Sequence, residues 1–154
     1  MISIYLAARY GRKLEMREVA QRLEATGYII TSRWLQEPDS ANLNENELRK
    51  AALRDSEDIF AADILVRFSD DLNTPRVPSG WCTSSRMEEA GMATAWGKQV
   101  VIVGAKQSVF DRLPDRVILS DVTALTDYLF KQKRIAHGLA EADKFGEDDG
   151  EVAT

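Results

Sequence analysis

The sequence predicts an α/β fold built on one doubly wound parallel sheet of five strands in the order 2-1-3-4-5, with helices on both faces. Three observations predict it. Short apolar runs alternate with stretches whose apolar residues recur at helical spacing. The runs number five, and a chain of 154 residues is long enough for one layered core and too short for two comfortable ones.

The first strand is expected at residues 2–7, a run of Ile, Ser, Ile, Tyr, Leu and Ala. Residues 12–26 place Met16, Val19, Ala20 and Leu23 at helical spacing, and Gly27 follows as a C-terminal stop. Residues 28–31 form a second, shorter strand. Residues 36–44 carry Pro38, Asp39, Ser40, Asn42 and Asn44, which is loop chemistry suited to a mobile lid. Asn44 with Glu47 reads as a capping box opening a helix that runs to about Ala61, with Leu48, Ala51, Ala52, Ile59 and Ala62 as its buried stripe.

Residues 64–68 are a strongly apolar third strand, followed by a loop at 69–79 rich in Asp, Asn and Pro. A helix over 86–96 leads through Gly97 and Lys98 into the fourth strand at 99–103, which ends at Gly104. The fifth strand is expected at 117–119, then a last helix over 121–133 with Val122, Leu125, Leu129 and Phe130 inward. Residues 1–134 are read as the domain and residues 135–154 as an acidic, disordered tail, because Glu141, Asp143, Glu147, Asp148, Asp149 and Glu151 leave little apolar surface to bury. The arrangement is flavodoxin-like or Rossmann-like. Such sheets bind ligands beyond the C-terminal strand ends where the order reverses, which predicts a pocket from residues 8–12, 69–79 and the helix start at Arg86.

Composition narrows the chemistry. A net charge of -5 and a pI near 5.0 supply no basic field for a nucleic-acid polymer, so a small molecule is the expected partner. One cysteine, Cys82, excludes an internal disulfide framework and builds no zinc site by itself, and the one histidine, His137, lies in the polar C-terminal region. No metal and no organic cofactor is expected. The N-terminus lacks a basic segment followed by an apolar one, and no apolar run approaches the roughly 20 residues that span a bilayer, so no membrane contact and a cytoplasmic location are expected.

Asp55 falls on the apolar stripe of its helix, where an unpaired carboxylate costs several kcal/mol. Either it lines a pocket, or the helix is turned enough to set it at the stripe's edge, bonded to Arg54 or to solvent. Glu88 and Glu89 lie in the first turns of the next helix, where the dipole and unpaired N–H groups favour the ionised form that a nucleophile needs. Ala90, Gly91, Ala93 and Ala95 allow that helix to pack close to the sheet. Ala8, Arg9, Tyr10, Gly11, Arg12 and Lys13 surround a glycine-containing turn at a helix start, either an anion site or a solvated charge run. Ser69, Ser84, Ser85 and Arg86 are candidates for the other arm of a phosphate cradle. Tyr5 and Tyr10 bracket the end of the first strand and can face the crevice or the core. Trp34, Trp81 and Trp96 read as packing residues, with Trp34 or Trp81 placed to stack a base.

The residues Ile4-Tyr5-Leu6-Ala7-Ala8, then Arg54-Asp55 eight residues before Ala62-Asp63-Ile64-Leu65-Val66, then Glu89-Ala90-Gly91-Met92-Ala93-Thr94-Ala95-Trp96-Gly97-Lys98-Gln99-Val100 resemble the nucleoside 2-deoxyribosyltransferase superfamily. The last stretch is similar to its Glu-x-Gly-x-Ala-x-Ala-x-Gly-Lys-x-Val signature. The superfamily holds base-exchanging transferases and 2′-deoxynucleoside 5′-monophosphate N-hydrolases. The resemblance implies that Glu89 attacks the anomeric carbon, that Asp55 orients it and helps protonate the departing base, and that Tyr5 belongs to the site. It also implies a homodimer or larger homo-oligomer with shared active sites. Two departures lean toward a nucleotide: Ser84-Ser85-Arg86-Met87-Glu88 replaces a glycine-rich approach to the nucleophile, and Arg116 stands where transferases present an Asn to the neighbouring subunit. The runner-up expectation is a catalytically silent nucleotide-binding or sensing module on the same fold.

Overall fold

The computed structural model describes residues 1–37, 43–70 and 85–145, with backbone alone for residue 137 and residues 139–145. Its elements run β1 (Ser3–Ala7), α1 (Lys13–Ala25), β2 (Ile29–Ile30), α2 (Glu45–Ala61), β3 (Ile64–Phe68), α3 (Ser85–Ala95), β4 (Gln99–Val103), β5 (Val117–Leu119) and α4 (Val122–Phe145). The five strands form one sheet in the order β2-β1-β3-β4-β5, every pairing parallel, as the sequence predicts. β1, β3 and β4 are covered on both faces, which is why they read as continuous apolar runs.

Local chemistry sets the helix ends. α1 buries Met16, Val19, Ala20 and Leu23, and closes on Gly27 (φ +86°): the Gly27 N–H donates to the Glu24 carbonyl at 2.9 Å and the Tyr28 N–H to that of Leu23 at 3.2 Å. α2 opens on the expected capping box, with the Glu47 N–H donating to Asn44 Oδ1 at 3.0 Å and the Asn44 N–H to Glu47 Oε2 at 2.9 Å.

Several expectations are corrected. Of the stripe foreseen on α2, Ile59 and Ala62 are buried, but Leu48 and Ala52 are exposed. The helix has 17 residues, about 25 Å of rise, against about 17 Å for a five-residue strand, so about its first five residues, Leu48 among them, overhang the C-terminal end of the sheet. Asp58 is the polar residue buried on α2, holding Arg33 through its main-chain N–H at 2.9 Å and its Nε at 2.6 Å. Phe130 is 61% exposed, because one residue beyond Leu129 turns it about 100° off the Leu125–Leu129 row. α4 does not stop at residue 133 but runs to Phe145, since Ala, Leu, Glu and Lys beyond it favour helix whatever their charge. Residues 146–154 lie outside the described residues. So do Trp81, Cys82, most of the 69–79 loop and residues 38–42 of the proposed lid.

Candidate active site

Tyr5 sits in the middle of β1, level with Leu65 of β3, and is fully buried. Its hydroxyl donates to Glu89 Oε1 at 3.0 Å. Glu89 stands one turn into α3, and α3 packs beside α2, with Ser56 Oγ 3.9 Å from Met92 Sδ. Asp55 is on α2 next to Ser56 and is half-buried. Its Oδ1 is buried without a hydrogen-bond partner among the described residues. The alternative pairing of Asp55 with Arg54 does not form: Arg54 binds Glu37 at 2.7 Å instead.

The three side chains share one electrostatic environment. Burial pushes the Glu89 carboxyl up to about 7; the Tyr5 hydrogen bond opposes that rise, the Asp55 charge adds to it, and Arg86 pulls it down. Burial also pushes Asp55 up to about 6, helped by the charges of Glu37 and Asp58 and opposed by Arg54 and Arg33. Tyr5 is raised well above its usual value by burial and by the charges of Glu89 and Asp55, so it remains a neutral donor. The start of α3 favours an ionised Glu89, and burial works against it, raising the carboxyl. A carboxyl pair of this kind titrates as a unit near neutrality, where one member can be charged while the other holds a proton.

A second group lies at the ends of β1 and β3. Arg9 and Arg86 both donate from Nη2 to Asp70 Oδ2, Arg86 at 2.7 Å. Arg12 donates from Nη1 to the Ser69 carbonyl at 2.8 Å, pairs with Glu15 at 2.7 Å, and stacks 5.5 Å over Phe68. Ser69 donates to the Ala105 carbonyl at 2.6 Å. Ala8 is half-buried beside this group, and Gly11 is exposed in a 3-10 turn, Tyr10–Arg12. Tyr10 is largely exposed, its ring 6.3 Å from that of Trp34. Lys13 is buried against the Glu37 carbonyl, 3.3 Å from the Tyr10 hydroxyl. Trp34 is committed to packing by its Nε1–H, which donates to the Leu6 carbonyl at 2.9 Å.

Ser85 is exposed at the start of α3, and Ser84 lies outside the described residues. The structure does not bring Arg116 to this group. It precedes β5, at the N-terminal end of the sheet, and donates to Thr94 Oγ1 at 2.5 Å. Sequence reasoning placed Asp70 in the pocket loop without singling it out, and missed Gln107 and the buried Arg67–Asp111 pair. Arg67 carried a usable signal, being a cation inside the apolar run of β3. Asp70 carried only its position at the end of that strand.

No metal-holding group of three or more His, Cys, Asp or Glu occurs among the described residues, and no helix among them is long and apolar enough to cross a membrane. No protein-family model and no curated protein matches the chain. Among solved structures, the CMP N-glycosidase BcmB of Clostridium botulinum is similar, with a TM-score of 0.49 and 18% identity, over 82% of this chain and 97% of that one.

Proposed function

We propose that the chain cleaves the N-glycosidic bond of a 2′-deoxynucleoside or its 5′-monophosphate through a covalent deoxyribosyl ester on Glu89. The observation that carries this reading is the Tyr5–Glu89 hydrogen bond beside Asp55, two carboxyls raised toward neutrality around one buried phenol. Buried carboxyls without cationic partners are costly, and they recur where protons must move. The resemblance of the three sequence motifs supports the same roles.

In the proposed reaction the pair reacts with its one proton on Asp55, the less populated of its two arrangements because the Glu89 value is the higher. The ionised Glu89 carboxylate attacks C1′, and the C1′–N bond breaks with its electron pair passing to the base. Asp55 supplies the proton that the departing base takes up. The absent 2′-hydroxyl of a deoxyribosyl donor makes an oxocarbenium-like transition state easier to reach, and the Glu89 charge stabilises it. Tyr5 holds the nucleophilic oxygen in place. The ester is then opened by water, or by a second base, at C1′, returning Glu89 as a carboxylate while Asp55 accepts the proton of the incoming group.

Incubation with a panel of deoxynucleosides and their monophosphates, with and without an added acceptor base, tests the reading by chromatography. A new nucleoside marks a transferase, and free deoxyribose or its phosphate marks a hydrolase. Ligand binding without release of base from any member would replace the reading with a silent nucleotide-binding module.

A further inference from the structure

Asp70 holds two guanidiniums on one oxygen. Arg9, after β1, and Arg86, in the first turn of α3, both donate to its Oδ2. Its other oxygen, Oδ1, is buried with no hydrogen-bond partner among the described residues, as is Arg9 Nε. Gln107 frames the group: its Nε2 donates to the Asp70 carbonyl at 3.0 Å, and its Oε1 lies 3.4 Å from Arg86 Nη2. Arg12 and Arg67 stand near enough that their charges, with that of Arg9, add to burial in lowering the affinity of Arg86 for its proton.

This is poor use of the groups present. A guanidinium and a carboxylate match best as a two-pronged pair, each prong a straight N–H to oxygen bond. Here one oxygen serves two cations while a buried acceptor and a buried donor go unused. A tetrahedral oxyanion with three free oxygens suits converging guanidiniums better than a planar carboxylate does. Arg86 lies on α3 three residues before Glu89, so the two side chains rise from neighbouring positions of the helix surface.

We propose that Asp70 holds the place of a substrate phosphate: a phosphate dianion takes over Arg9 and Arg86, and the Asp70 carboxylate turns away. This rests on the reading that Tyr5, Asp55 and Glu89 act on the sugar of a nucleotide. Asp70 is then a specificity-determining residue. A nucleoside without a phosphate leaves it in place, whereas a monophosphate brings more charge and more acceptors than the carboxylate it displaces.

Calorimetric titration of inorganic phosphate into the wild-type protein and Asp70→Asn tests the exchange. Removing the internal competitor should tighten phosphate binding by about tenfold or more, the scale of one charge-assisted hydrogen bond that no longer has to be broken. Unchanged or weaker binding by a folded Asp70→Asn would show that Asp70 positions the arginines instead, and would overturn the proposal. Crystals of the wild-type protein grown with phosphate give an answer independent of the variant. Phosphate oxygens on Arg9 and Arg86 with Asp70 displaced support the exchange, and Asp70 still bridging both overturns it.

A third arm separates substrate phosphate from free phosphate. In a Glu89→Gln background, adding Asp70→Asn should tighten binding of a nucleoside monophosphate and leave that of the nucleoside unchanged; an equal change in both contradicts the proposal. All three arms read binding rather than turnover. Absence of base release would therefore sink the glycosidase reading while leaving the phosphate exchange to stand or fall separately.

Discussion

The Tyr5 hydroxyl and the Glu89 carboxylate, 84 residues apart in the chain, meet at 3.0 Å on one face of the sheet. The phenol is a neutral donor, and its bond is the largest influence holding the Glu89 carboxyl below where burial alone would put it. Tyr5→Phe should lower kcat at pH 7 by about tenfold to a hundredfold, the scale of one hydrogen bond to a charged group. It should also move the upper apparent pKa of the pH–rate profile further up. An unmoved profile would show that the bond does not reach the reacting state.

The carboxyl pair predicts the shape of that profile. With Asp55 near 6 and Glu89 near 7, kcat/KM should be bell-shaped with its maximum between those values, because one proton must remain on the pair. Asp55→Asn should abolish one limb, and its loss of rate should be greatest for substrates with the most basic leaving group. A variant that keeps both limbs would remove Asp55 from the proton transfer.

Stability should respond to the same burial. Glu89 is protonated in the folded and unfolded chains below about pH 4.5; as pH rises through about 7, the unfolded chain ionises first and stability is lost. Relative to its value at pH 4, the stability of Glu89→Gln over the wild type should therefore grow by on the order of 3 kcal/mol by pH 8. Urea denaturation at the two pH values measures the change. A gap independent of pH would mean that the carboxyl is not raised.

Much of this framework was legible in the chain itself. β3, β4 and β5 begin and end where the sequence predicts, because each apolar run is bounded by Gly, Asp, Ser, Lys or Arg. The Asn44–Glu47 box is a local device and reads as one. Asp55 stood out as a carboxyl on an apolar stripe and Glu89 as one in a first helical turn, and the order of the motifs linked them. What could not be read is long-range. Arg67 and Asp111 are 44 residues apart and Arg9 and Asp70 are 61, and neither pairing leaves any periodicity. The overhang of α2, which exposes Leu48, depends on strand length rather than on the pattern of the helix itself.

The Arg67–Asp111 pair offers a separate test of the scaffold. The two groups are 2% and 3% exposed and 2.7 Å apart, and Asp111 also accepts the N–H groups of Gln107 and Ser108. Asp111→Ala strands a buried guanidinium and should cost about 3–5 kcal/mol by denaturant titration. Replacing both residues with apolar ones should recover much of the loss.

Gly104 closes β4 against the end of β3. Its φ is +107°, and a Cβ there would lie 3.0 Å from the Ser69 Cβ. Gly104→Ala should cost about 1–3 kcal/mol from the strained backbone, with the close contact adding to it, and should lower Tm accordingly.

Base release by Glu89→Ala, compared with the wild type on a substrate the wild type cleaves, tests the central claim most directly. The account predicts a fall of at least about a thousandfold in kcat, since removing the nucleophile leaves only binding and the proton donor, in a protein whose circular dichroism is unchanged. Release at the wild-type rate from that folded variant would contradict it.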